Sequence, residues 1–191
     1  MKRRTFLVLP AAHATSAVLP TSLVGRSVSA QGGAAAANRS LLLVKAGVDR
    51  DAKPFQWLDA TFHVKVSGKD TDGRCVIFDT FRPAKVGPPL HLHTDCDEWF
   101  SVTAGEFKFQ VGTETMRLSA GDSLLVPKTT PHAFVKTSEG VARLIVMHQP
   151  AATMEEYFRS VIQTTDQTVE GRRALAEQHG MRIIGDPLKA D

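Results

Sequence analysis

Cysteine is nearly missing from this chain, with only Cys75 and Cys96 among 191 residues. Its fold does not rest on staples, because a chain of this length buries roughly 70% of its unfolded surface around a single core. Internal repeats and a glycine-rich phosphate loop are missing too, and neither a solenoid nor a nucleotide cradle is supported. No long uninterrupted apolar run is present: the one weakly apolar stretch, residues 6–24, is broken by Pro10, His13 and Pro20. A polytopic membrane protein is thereby excluded, and the length is too short for a multidomain machine. What is there is ordinary for a globular domain: 42% hydrophobic residues and 23% charged ones, with a mean hydropathy of −0.12. That balance excludes wholesale disorder.

The formal net charge of +3 hints at a nucleic-acid partner, but the excess is local. Four of the 23 basic groups, Lys2, Arg3, Arg4 and Arg26, fall within residues 1–30, which hold no acidic group, leaving 19 basic against 20 acidic groups. No nucleic-acid partner is expected of a body so nearly neutral. The order of residues 1–30 is a basic cluster, a weakly apolar run and then Val28-Ser29-Ala30, the order of a cleavable signal. Arg3-Arg4 followed by Thr5-Phe6-Leu7 resembles the twin-arginine export signal, a route for proteins already folded. Cleavage after Ala30 would begin the mature chain at Gln31, with a flexible lead over 31–40 and no stable membrane anchor. The expected location is periplasmic or secreted, in a bacterium.

From residue 41 to residue 150 short β-branched and aromatic runs alternate with turn clusters, the pattern of a sandwich or barrel. Strands are expected at 62–66, 75–81, 98–103, 107–111, 116–118, 123–126, 133–136 and 142–148, about eight in all. Residues 98–103 and 107–111, separated by Ala104-Gly105, read most simply as a hairpin. After Pro150 the period becomes helical: Thr153 and Glu156 have capping-box spacing, and Met154, Tyr157, Phe158, Val161 and Ile162 form one stripe. That stripe is expected to pack on the outside of the sandwich, and a second helix is expected over 169–178, stopping at Gly180. Residues 151–191 thus form a helical extension of a barrel over 41–150.

Chemistry concentrates in two stretches. His91 and His93 are two apart, so on a strand both imidazoles share a face. A turn over 94–97 brings Glu98 back toward the same centre, and His132 follows some forty residues on. Three neutral imidazoles and one carboxylate make a donor set for one divalent transition ion, whether manganese, iron, cobalt, nickel, copper or zinc.

At these residues the chain resembles the cupin superfamily. That family's first motif, His-x-His, three or four residues, Glu, six residues, Gly, is matched by His91, His93, Glu98 and Gly105. Its second, Gly, five residues, Pro-x-Gly-x-x-His, is matched by Gly121, Pro127 and His132. Gly87 lies three residues before His91 where five are usual, and Thr129 and Lys136 replace a Gly and an Asn. The resemblance implies an all-β jelly-roll barrel, often a homodimer, with a metal held by His91, His93, Glu98 and His132.

Other candidates are weaker. His63 alternates with apolar neighbours and reads as an outward strand residue, whereas His148 shares parity with Leu144 and Val146 and can line the cavity. Cys96 is a weaker thiolate candidate. Its pairing with Cys75 is left open by spacing alone. Asp95 and Asp97 are expected to face solvent, and Phe78, Phe100, Phe107, Phe109 and Phe134 to build the core.

The segments around Pro89-Leu90-His91-Leu92-His93 and Pro131-His132-Ala133-Phe134, with the Gly185 to Leu188 ending, look like small quercetin dioxygenase-like cupins. This implies a metal-dependent dioxygenase acting on a small aromatic or enolic substrate, with Glu98 as fourth ligand or as catalytic base. The alternatives are a metal-holding module that binds a small molecule without turnover, or another cupin enzyme, an isomerase or oxalate-type, although no second cupin half is present.

Overall fold

Residues that alternate between apolar and polar every second position build strands with one face inward. In residues 62–65, Phe62 and Val64 are buried while His63 and Lys65 lie on the opposite face. The structure is a computed structural model describing residues 40–190. The signal-type segment 1–30, and all of the lead except Ser40, lie outside the described residues.

In chain order the elements are β1 (Phe55–Trp57), β2 (Ala60–Val66), β3 (Val76–Arg82), β4 (Pro89–His93), β5 (Asp97–Ala104), β6 (Glu106–Val111), β7 (Glu114–Ser119), β8 (Ser123–Val126), β9 (His132–Lys136), β10 (Ala142–Gln149), α1 (Met154–Val161), α2 (Val169–Gln178) and β11 (Met181–Pro187). Two antiparallel sheets form, ordered β1-β2-β3-β10-β5-β8 and β11-β4-β9-β6-β7. This is the expected all-β jelly roll with a short helical C-terminal part.

The expected hairpin between residues 98–103 and 107–111 does not form. β5 pairs with β10 and β8, whereas β6 pairs with β7 and β9, so the chain changes sheets at Gly105. Gly105 has φ +77°, and a Cβ there would lie 2.6 Å from the Cβ of Ala142. Only glycine turns this corner without a clash.

Phe100, Phe109 and Phe134 pack ring to ring at 5.0–5.5 Å between the sheets, and Phe78 and Phe107 are fully buried with them. Toward one end the core is completed from outside the barrel strands. Phe158 of α1 lies 4.9 Å from Phe62 and 5.2 Å from Phe78, both on inward faces. The α1 stripe therefore closes the space between the sheets rather than packing on their outer surface. Ile162, expected on that stripe, is 41% exposed.

The expected cap on α1 also fails. Thr153 makes no side-chain cap bond, because its Oγ1 lies 2.9 Å from His179 Nδ1, just past the end of α2. The second helix forms as expected and ends at Gly180 with φ +69°. Beyond it, β11 adds a strand not expected from the sequence, and Met181 pairs with His93 while Ile183 pairs with His91. Cys75 and Cys96 are both free thiols.

Candidate metal centre

The backbone around the centre is set by close approaches. Gly87 leads into β4 against β9, and a Cβ there would sit 1.7 Å from the Phe134 carbonyl oxygen. The turn from β4 to β5 is pinned on both sides: Thr94 N–H donates to Gly180 O at 2.7 Å, and Asp97 Oδ1 accepts from Lys128 N–H at 2.9 Å. Thr129 N–H donates to His93 O at 2.6 Å, which ties the loop before β9 to β4. Thr129 holds φ +64°, the left-handed conformation that the glycine usual at this motif position adopts freely. The other departure, Lys136, is buried and donates to Pro83 O at 3.0 Å, anchoring the turn after β3.

On this frame β4 turns His91 and His93 inward, β9 opens with His132 directly opposite His91, and β5 supplies Glu98. All four expected donors are buried, and their ligand atoms lie within 4.8 Å of one another. Glu98 Oε2 is 3.0 Å from His93 Nε2 and 2.8 Å from His132 Nε2. His91 Nδ1 lies 2.8 Å from Pro89 O, and His132 Nδ1 lies 3.0 Å from Thr130 O. A carbonyl accepts only from N–H, so these contacts place a proton on Nδ1 of each ring and turn Nε2 into the cluster.

The electrostatics suit cation binding. Burial pushes the His91 pKa well below its ordinary value, helped by repulsion from His132 and His93, and burial also lowers His93. Both rings are then neutral with a lone pair to give. Burial alone would raise the Glu98 pKa, but electrostatic attraction to the His148 and His93 imidazoles and hydrogen bonding with His132 hold it well below the carboxylate range. Burial opposes the charged form of His132, yet its bond and attraction to Glu98 raise its pKa overall. A buried cluster of three imidazoles and one ionised carboxylate could hold a divalent transition ion.

The remaining sequence candidates sort cleanly. His63 faces outward, with its ring 5.3 Å from Phe81 and far from this cluster in the β2–β3 register. Cys96 is buried and its thiol is pushed up to about 12, chiefly by burial, so it stays protonated and inert. Asp95 is exposed beside the turn, while Asp97 is half-buried and engaged with Lys128. His148 does point inward: it is fully buried, and its Nε2 sits 3.2 Å from Glu98 Oε1, too poorly aligned for a hydrogen bond.

Arg82 was missed, although it shares parity on β3 with Val76, Phe78 and Thr80. It is 1% exposed, lies 4.8 Å from the Phe134 ring and 3.7 Å from Asp59 Oδ1, and burial lowers its pKa to about 10. Together with Glu98 and His148 it lines an inner cavity of about 20 Å³. A second chamber of about 310 Å³ opens outward, with His91 in the wall of both. The larger chamber is built mostly from β1, α1, α2 and β11.

Residues 77–148 match the family described as Cupin domain. The match supports the cupin superfamily for this chain. A curated relative, Protein SchB of Streptomyces halstedii, is 32% identical over 78 residues, covering 41% of this chain and 56% of SchB. The chain thus spans little more than half the length of that relative. Among solved structures, KdgF from Halomonas sp. is similar at 18% identity and TM-score 0.48, covering 54% of this chain and 90% of KdgF. A predicted oxalate decarboxylase from Thermotoga maritima is similar at 15% identity and TM-score 0.46, over 48% and 80% of the two chains. A sugar phosphate isomerase of the cupin superfamily from Silicibacter pomeroyi is similar at 17% and 0.43, over 49% and 61%.

Proposed function

We propose that this chain is a metal-dependent cupin enzyme, a quercetinase-like dioxygenase acting on a small aromatic or enolic substrate. The observation that carries the reading is His91, which belongs both to the donor cluster and to the wall of the apolar outer chamber. A group seated in that chamber would meet the cluster from its open side. One divalent transition ion held by His91, His93, Glu98 and His132 would supply Lewis acidity toward a substrate hydroxyl and, if redox-active, electrons for dioxygen.

The chain's own residues do the rest. Nδ1 bonds to Pro89 and Thr130 fix the His91 and His132 rings. Trp57, Tyr157 and Met181 form apolar walls that hold a ring and exclude water. Glu98 is ionised, but its pKa is held so low that it takes a proton from substrate only weakly. Its surroundings therefore favour the ligand role over the base role. Replacing Glu98 by Gln separates them, since loss of turnover with metal retained supports the base and parallel loss of both supports the ligand.

Oxygen uptake by metal-replete protein over a flavonol, catechol and oxalate panel tests the reaction. Uptake with a flavonol or catechol is expected, and no uptake with either overturns it. The small inner cavity favours a second reading, a metal-holding module that binds without turnover, because about 20 Å³ admits roughly one water molecule. We also propose export with removal of residues 1–30, which N-terminal sequencing of the native protein tests: Gln31 is expected, and Lys2 would contradict it.

A further inference from the structure

The outer chamber has a mixed lining. Most of its wall is apolar, from Trp57, Val161, Met181 and Ile183, and its rim is set by α2, which contributes Arg172 and Arg173. Both guanidinium groups lie at the exposed surface, and neither forms an ion pair among the described residues. Between rim and wall stands Tyr157, 2% exposed, whose hydroxyl makes no hydrogen bond among the described residues. Its ring is buried but its hydroxyl oxygen is not enclosed, which leaves the oxygen open to a partner in the chamber it lines. Arg172 is close enough to pull the Tyr157 pKa down, against the burial that lifts it to about 12, so the unpaired hydroxyl and the unpaired cation belong to one locality. The single acidic residue lining the chamber is Asp186, one negative charge against two positive ones.

We infer that the chamber is a binding site for an aromatic acid, its ring lying against the Trp57–Tyr157 pair and its carboxylate taken by Arg172 and the Tyr157 hydroxyl. The chemistry is complementary at each end. Trp57 and Tyr157 pack edge to face on each other with ring centroids 6.4 Å apart, and together they present one aromatic wall to a flat ring in the chamber. A guanidinium and a phenol O–H both donate, and a carboxylate accepts from both. A volume of about 310 Å³ suits a small ring-bearing ligand rather than a peptide or polymer. Trp57, Tyr157, Arg172 and Met181 all lie outside residues 77–148, so this selectivity belongs to the parts of the chain that surround the matched domain. The inference rests on the proposed function only in taking this chamber as the substrate's.

Trp57 and Trp99 are the two tryptophans of the chain, so a Trp99→Phe background leaves Trp57 as an emission reporter in the chamber wall. Three probes of one shape are titrated: 3-phenylpropanoate, 3-phenylpropanol and 3-phenylpropylammonium. Saturable change in Trp57 emission is expected with the acid bound tightest and the ammonium weakest. Arg172→Gln should weaken the acid by at least about fivefold and leave the alcohol unchanged, and Tyr157→Phe should weaken the acid while preserving packing. The acid should bind equally well to His63→Ala protein, because that ring faces away from the chamber. Equal binding of acid and alcohol, no saturable change with any probe, or an Arg172→Gln protein with unaltered preference overturns the inference. Charge-selective binding without oxygen uptake would sink the dioxygenase reading alone. Flavonol-dependent uptake without acid preference would sink this inference alone.

Discussion

His148 stands directly across the β5–β10 pairing from Glu98, and its Nε2 lies 3.2 Å from the carboxylate Oε1 that His93 and His132 leave free. The imidazole is not one of the four clustered donors, yet it fills the far side of the carboxylate. His148→Ala should keep the metal site but weaken it, by up to about 10-fold in affinity, since the ring packs against Glu98 and His93 without a hydrogen bond to hold them. Competition against a chelator reads this directly, and unchanged affinity would show that Glu98 needs no such support.

Asp49 is buried, and its carboxylate accepts N–H bonds from Asp51 at 2.9 Å, Lys53 at 3.1 Å and Val64 at 2.7 Å. Burial alone would raise its pKa, but the three bonds bring it below the ordinary 3.8. A carboxylate lowered on folding stabilises above its unfolded pKa, and the contribution is lost as pH falls through the folded pKa. Asp49→Asn would set an amide donor against a backbone donor and should cost about 1–3 kcal/mol at pH 7. Urea denaturation should show the gap narrowing below about pH 4, and a gap independent of pH would contradict the account.

Thr129 holds a left-handed backbone at φ +64° while its N–H serves His93. That conformation costs a β-branched residue roughly 1–2 kcal/mol, and glycine forfeits about 0.5–1 kcal/mol in entropy. Thr129→Gly should therefore stabilise by about 0.5–1 kcal/mol with metal content unaltered. A lowered Tm in calorimetry would show that the threonine side chain does something the backbone does not explain.

Phe158 reaches the rings of Phe62 and Phe78 from α1, whereas Ile162 is 41% exposed. Phe158→Ala should cost about 3–5 kcal/mol by opening the end of the core. Ile162→Ala should cost about 0.5 kcal/mol or less. Similar losses for the two would contradict the closure of the barrel by α1.

The cluster was legible because its spacing is local: a His-x-His on one strand and a carboxylate after a short turn carry their own geometry. Most barrel strands were legible by alternation, and α2 by its period and Gly180. What escaped depends on contacts distant in sequence. The chain leaves its sheet at Gly105 because Ala142 crowds it from β10, a strand nearly forty residues away. β11 carries Gly185 and Pro187, which do not favour a strand, and becomes one only because β4 offers an edge beside His91 and His93. Thr153 had the spacing of a cap but meets His179 instead. Arg82 had the right parity, yet a charged residue is not assigned to a core until Phe62 and Phe134 are seen on either side of it.

The central claim is that four side chains hold one metal ion. Elemental analysis after gel filtration compares wild type with His93→Ala, taking His63→Ala and His179→Ala as controls. Close to one divalent transition ion per chain is expected in wild type and both controls, with most of it lost from His93→Ala while the fold persists. Equal metal content in wild type and a folded His93→Ala protein would contradict the account.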